Sequence, residues 1–202
     1  MIDLTRKAHF RKLKKLMNKI KTNLEQYDNS WYKPGNPLKR VCWYVTNLIF
    51  FKSSIFPFSG FKVFLLKLFG AKAGQNITIK PSVSIKYPWF LKLGNNVWIG
   101  EGVWIDNLGN VIIGNDVCLS QGSMLLSGNH DYTKPGFDLI IQEIVLEDGV
   151  WIGARAIVCN GVVCKDHSIL TVGSVATRNL ESFAICQGNP AVKVKDRNGI
   201  RI

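Results

Sequence analysis

Three histidines occur in this sequence, and histidine is the side chain whose ordinary pKa lets it accept a proton near neutral pH. Held within hydrogen-bond reach of a reacting hydroxyl, an imidazole acting as general base contributes about 10²–10⁴-fold to a rate. His9 sits among Arg6, Lys7, Arg11 and Lys12, where a solvated role fits. His167 stands in "CKDHSIL", a solvent-facing place in a regular pattern. His130 stands in "LLSGNHDYTKPGFDL" (125–139), where that pattern breaks off. The five cysteines, Cys42, Cys118, Cys159, Cys164 and Cys186, form no C-x-x-C pair and no zinc pattern. They read as small buried hydrophobes in a reducing compartment. No cysteine or serine is visibly paired with a base for covalent catalysis.

The element that must position His130 is a repeat. Aliphatic residues fall at Ile79 and Ile85, then Leu93, Ile99 and Ile105, then Ile113, Leu119 and Leu125. After a gap they resume at Leu146, Ile152, Val158, Cys164, Leu170 and Ala176. A second set sits two residues earlier, at Val97, Val103, Val111, Val117, Ser123 and Val150. Six is neither a helical period nor a hairpin spacing. It suits a chain that turns a corner every six residues, with Gly, Asn and Asp at corners that need positive φ. Three flats close a triangular coil of about eighteen residues, and stacked coils bury a continuous aliphatic column. Two residues are inserted between 85 and 93 and again between 105 and 113. The long excursion 126–145 is where a rigid solenoid would carry a site.

The formal net charge of +12 belongs to residues 1–72, which hold fifteen Lys/Arg and three acids, whereas residues 73–202 are neutral. A neutral main domain argues against nucleic acid as a partner. Phe10, Leu13, Met17, Ile20 and Leu24 predict one apolar stripe on a basic helix. Two apolar runs follow, "VCWYVTNLIFF" (41–51) and "FKVFLLKLFG" (61–70), each too short to span a bilayer. Such helices suit an anionic membrane surface, or else pack on the main domain or a neighbouring subunit. The division expected is a basic, amphipathic helical extension (1–72), a coil domain (73–190) with the loop 126–145, and a C-terminal tail (191–202). "GNP" (188–190) is expected to end the coils and turn the tail back. A secretion signal is not evident, so a cytoplasmic location is expected, with peripheral contact at the inner face of the cell membrane as one option.

The segments "VWIGEGVWIDNLGNVIIGNDVCLSQGSMLLSGNHD", "VWIGARAIVCNGVVCKDHSILTVGSVATRNL" and "GNPAVKV" resemble the hexapeptide-repeat acyltransferases. The resemblance covers roughly residues 62–197 and is nearest to the colanic-acid-type O-acetyltransferases of bacterial exopolysaccharide and capsule biosynthesis. It implies an all-β solenoid, the left-handed parallel β-helix, here with an N-terminal α-helical extension. It also implies a homotrimer with active sites between subunits, acetyl-CoA as donor, a sugar or lipid-linked glycan as acceptor, and no metal. His130 matches the family's general base, and Asp131 either orients its imidazole or caps the loop. Asp106, Asn107 and Asn129 are candidate acceptor contacts, and Trp151 a candidate pocket wall. The resemblance lays coenzyme A along the last coils. The main chain at Gly153 and Ala154 would meet the thioester, and an N–H there could stabilise an oxyanion. Val172 and Gly173 would meet the pantetheine arm, and Thr177, Arg178 and Lys195 the nucleotide and its 3′-phosphate. Here "TVGSVATR" replaces the commoner "GAGSVVTK", a tolerable change where contacts are main-chain. Alternatives are an acetyltransferase for a soluble acceptor (sugar nucleotide, antibiotic or amino acid) and a non-enzymatic scaffold. The γ-type carbonic anhydrases share the fold but need three histidines on a metal.

Overall fold

The structure, a computed structural model, describes residues 19–198. Those residues group into two units, 19–32 with 130–140 and 33–129 with 141–198.

The larger unit is the coil. Its first face stacks Lys72–Ala73, Leu91–Leu93, Val111–Ile113, Ile144–Leu146 and Val163–Cys164. The second stacks Thr78–Ile79, Trp98–Ile99, Cys118–Leu119, Trp151–Ile152, Ile169–Leu170 and Ala184–Gly188. The third stacks Ser84–Ile85, Trp104–Asp106, Met124–Leu126, Ile157–Val158 and Val175–Ala176. All these pairings are parallel. The two predicted insertions set the pitch. Corner partners Asn95 and Asn115 are 20 residues apart, whereas Gln142 and Asn160 are 18 apart. Asn115 and Asp148 are 33 apart because the excursion intervenes.

Both predicted aliphatic sets are buried along their whole length, including Ser123 and Cys164 at the substituted positions. Corners turn at positive φ on Asn96, Gly102, Asp116 and Gly122. Beside them Asn95, Asn115 and Asp148 form a hydrogen-bonded ladder from coil to coil. The bonds from the Asn115 main chain and side chain hold the Asp148 carboxyl below the usual range.

Burial pushes the Cys164 thiol up to about 12 from 9.0, with smaller contributions from Cys186 and Glu147. Below pH 9 both folded and unfolded chains keep this proton. Between 9.0 and about 12 only the folded chain does, so this group withdraws stability as pH rises through that window. Cys164 is therefore expected to resist iodoacetamide in the native protein at pH 9, while exposed Cys42 is alkylated. Peptide mapping by mass spectrometry checks this; rapid native labelling of Cys164 would mean the coil opens there.

Residues 33–72, expected as part of the extension, form one unit with the coil. Helix α1 (Pro37–Thr46) starts at Asn36, whose side chain accepts from Leu38 and Lys39 N–H, with Pro at the first turn. It runs into a π-helical turn, Asn47–Phe51. Helix α2 (Ser59–Leu68) follows. Trp43 donates its indole N–H to the Ile85 carbonyl at 2.9 Å, and Trp43, Phe51 and Leu66 are buried against the first coil. Lys62 is fully buried, its ammonium donating to the Lys80 carbonyl at 2.9 Å. Desolvation holds its pKa below that of an ordinary lysine.

The tail returns as expected: Ala191–Asp196 pairs antiparallel with Ala184–Gly188. In the smaller unit, Leu24–Gln26 is a single 3-10 turn, capped by Asn23. The rest of the predicted basic helix (Phe10, Leu13, Met17) lies outside the described residues.

Candidate active site

His130 ends the strand Gly128–His130, which pairs with Leu139–Ile141. Between these strands the chain turns tightly, with Asp131 N–H donating to the Asp138 carbonyl and Phe137 at φ 54°. The turn brings the Phe137 carbonyl to 2.8 Å from His130 Nδ1. A carbonyl only accepts, so Nδ1 carries the hydrogen and Nε2 carries the lone pair of the neutral imidazole. The Phe137 ring stacks on the imidazole, centroids 4.5 Å apart and planes 7° from parallel. Tyr27 approaches the same ring at 5.8 Å, and its segment is tied to the turn by Asn23 N–H donating to the Pro135 carbonyl. The imidazole is thus fixed in tautomer and in plane.

Asp131 takes the second of its two expected roles. Its Oδ1 accepts from the N–H and the hydroxyl of Thr133, and these bonds lower its pKa, with a smaller contribution from Lys134. The Phe137 carbonyl holds Nδ1 instead. Phe137, Tyr27 and Thr133 were not singled out in the sequence; the excursion was expected to carry a site, but not to present a particular carbonyl.

On the coil, Asp106 ends the third-face strand Trp104–Asp106, half-buried and ion-paired to Lys86 at 3.0 Å. It lines a cleft of about 510 Å³ together with Arg40, Val41, Tyr44, Lys86 and Trp104. Asn107 does not join it, a correction to the expected acceptor contact. Asn107 is fully buried, with Oδ1 accepting from the N–H groups of Lys86 and Tyr87 and Nδ2 donating to the Tyr87 carbonyl at 2.6 Å. The inserted residues fold inward, and their amide stitches one coil to the next. Asn129 is exposed and donates to Asn160, which in turn donates to Gln142. Trp151 lies on the outer side of the second face, between Cys118 and Ile169, with its N–H on the Ser120 hydroxyl. His167 is a corner residue at φ 55°, its ring 5.0 Å from Phe183.

The donor positions divide in the same way. Gly153 N–H donates to the Leu170 carbonyl at 2.7 Å, which leaves the Ala154 N–H as the free donor of the pair among the described residues. The glycine at 153 has a packing cause: a Cβ there would lie 2.6 Å from Val172 N. The N–H groups of Ala154 and Val172 have no protein acceptor among the described residues. Gly173, at φ 66°, leaves open space where a Cβ would stand. Thr177 and Arg178 are exposed just past the strand Val175–Ala176, and Lys195 is exposed opposite Ile185. Arg178 and Lys195 have no ion-pair partner among the described residues, unlike Lys165 and Lys193, which pair with Glu181 and Asp196. Unbonded main-chain donors and unpaired cations fit an amide-rich arm that ends in phosphates. Among the described residues no group of three or more His, Cys, Asp or Glu could hold a metal ion.

Hexads wound into three parallel faces define a left-handed parallel β-helix of the kind built by hexapeptide-repeat proteins. The fold is shared with a hexapeptide-repeat-containing acetyltransferase of Vibrio cholerae complexed with acetyl coenzyme A, at a TM-score of 0.72 and 18% identity over 80% of this chain and 88% of that one. A galactoside acetyltransferase in complex with coenzyme A superposes with a TM-score of 0.71 and 23% identity, over 80% and 82%. In sequence, the chain is 35% identical over 166 residues to the protein named "Putative colanic acid biosynthesis acetyltransferase WcaF" of Escherichia coli (strain K12), spanning 82% of this chain and 91% of that protein. The galactoside O-acetyltransferase of Escherichia coli (strain K12) is 25% identical over 138 residues, 66% of this chain and 68% of its own. No family model matches the chain. The chain belongs to the hexapeptide-repeat acetyltransferases.

Proposed function

We propose that this protein moves an acetyl group from acetyl-CoA to a sugar hydroxyl in the biosynthesis of a bacterial polysaccharide, with His130 as general base. The observation that carries the reading is the Phe137 carbonyl on His130 Nδ1, which makes Nε2 the proton-accepting nitrogen. The names of two relatives, one in colanic acid biosynthesis and one acting on galactosides, support a sugar acceptor.

In the proposed step Nε2 takes the acceptor's proton as its oxygen attacks the thioester carbon. Negative charge builds on the carbonyl oxygen, where the Ala154 N–H is the candidate donor. Collapse breaks the C–S bond, and the imidazolium returns the proton to the departing thiolate. Transfer is direct, without an acyl-enzyme. Asp106 is the candidate contact for acceptor hydroxyls, and Arg178 with Lys195 for the 3′-phosphate. Assembly is proposed as a homotrimer with the sites between subunits.

The test is thiol release from acetyl-CoA, scanned over lipid-linked and nucleotide-linked sugars, with coenzyme A affinity measured in parallel. Turnover with one acceptor class supports the reading and names the substrate. Failure to bind coenzyme A would sink it in favour of a scaffold. Within the same assay, Asp131→Asn is expected to keep activity within about threefold, because an amide oxygen can still accept from Thr133. A loss of tenfold or more would mean the carboxylate charge serves the imidazole after all.

A further inference from the structure

The face built by α1, the π-helical turn and α2 leaves large apolar side chains uncovered. Leu38, Val41, Tyr44, Leu48, Ile55 and Phe64 are each more than half exposed, with Ile55 at 88%. Phe58 and Leu68 extend the same surface. Apolar faces of this extent on a folded unit mark an interaction site.

What covers it is indicated by charge. Residues 29–100 contain ten Lys or Arg and no Asp or Glu. Lys33, Arg40, Lys52 and Lys67 are exposed within or beside the apolar run. Of the nearby cations, Lys62 is turned inward onto main-chain carbonyls and Lys39 lies over the Trp89 ring. A second copy of this same face would set cations against cations with no acid to offset them. Aromatic and aliphatic side chains ringed by cations with no ion-pair partner among the described residues fit the boundary between acyl chains and anionic headgroups. Neither helix is long or apolar enough to cross a bilayer, which leaves an in-plane arrangement.

We infer that the surface Leu38–Leu68 docks this protein on an anionic membrane, with its apolar side chains seated in the interfacial layer. The docked face is continuous with the cleft at Asp106, since Val41 and Tyr44 of α1 belong to both. Resting on the acceptor reading above, the cleft would then open at the bilayer surface, where a glycan on a lipid diphosphate is presented. Arg40 and Lys52 in the cleft wall suit the diphosphate, while Lys86 is held by Asp106.

The experiment is sedimentation of the full chain with vesicles of phosphatidylcholine alone and of phosphatidylcholine with one third phosphatidylglycerol. The variants are Ile55→Ser/Phe64→Ser and Lys67→Glu, with oligomeric state followed by light scattering. Wild type is expected to sediment with the anionic vesicles only and to release in high salt. Each variant is expected to partition roughly tenfold less at unchanged oligomeric state. Absence of binding by wild type overturns the inference. So does vesicle binding that survives both variants while the Ile55→Ser/Phe64→Ser protein dissociates, because the face would then join subunits. Coenzyme A affinity and turnover of a water-soluble glycoside should be the same in all three proteins. Their absence everywhere would count against the catalytic reading and leave the docking result standing.

Discussion

His130→Ala is expected to lower kcat for acetyl transfer by about 10²–10⁴-fold and to leave the affinity for coenzyme A unchanged. The magnitude is that of one general base removed from a hydroxyl nucleophile, about 3–5 kcal/mol in the barrier. The selectivity follows from chemistry: as the proposed base the imidazole would act on the acceptor's proton, whereas the candidate donor contacts are main-chain N–H groups and the cations Arg178 and Lys195. Truncation also removes the ring that Phe137 stacks on and the hydrogen bond to its carbonyl, so the turn 131–138 could loosen. His130→Gln separates the two effects. Its amide can still donate to the Phe137 carbonyl but cannot act as a base near neutral pH. Equal losses in both variants assign the effect to proton transfer. Recovery in the glutamine variant would make His130 a positioning residue and send the search for a base elsewhere.

The column of the coil was legible because burial there depends on one repeated quantity, an aliphatic side chain every six residues. Ser123 and Cys164 are smaller than the aliphatic residues they replace, yet both remain buried in register. The insertions were legible as numbers and reappear as the 20-residue pitch. What they do was not. Asn107 looks like any polar corner residue in the sequence; its burial comes from the chain at 86–87 folding beneath it, twenty residues away. Lys62 is a similar case. A lysine between apolar residues reads as a solvated flank, and only the two carbonyls at 79 and 80 make its burial tolerable. His130 stood out because it lies where the rhythm stops. Its partner did not, since a carbonyl oxygen carries no side-chain identity and every residue of the loop has one. The same blindness covers Gly153 and Ala154, adjacent and equally unremarkable in sequence, of which one N–H is spent on Leu170 and the other is not.

Asn107→Ala should therefore cost stability and leave acceptor recognition alone. The substitution strands one main-chain group, the N–H of Tyr87, since the Lys86 N–H keeps the Ile105 carbonyl and the Tyr87 carbonyl keeps the Phe90 N–H. Each unsatisfied group costs about 1–3 kcal/mol when buried. Tyr87 is only half-buried, so water can reach part of this site and the low end applies, about 1 kcal/mol. For a chain of this length that is a fall in Tm of roughly 2–4 °C, readable by calorimetry. Asn107→Asp is the discriminating companion. A carboxylate still accepts the two N–H bonds, loses only the donation to the Tyr87 carbonyl, and places an acceptor against an acceptor there. It should lie between wild type and alanine in Tm, unless burial of the charge dominates and pushes it below both. For either variant that folds, the KM for the sugar acceptor is expected to stay within about twofold, since a sealed amide makes no contact with a ligand. A KM raised tenfold at unchanged Tm would restore Asn107 to the acceptor site and require the segment 86–90 to open when substrate binds. Asp106, one residue earlier and facing the cleft, should show the opposite pattern, with a raised KM and a nearly unchanged Tm for Asp106→Asn. Two neighbours in one insertion are thus separated by which measurement moves.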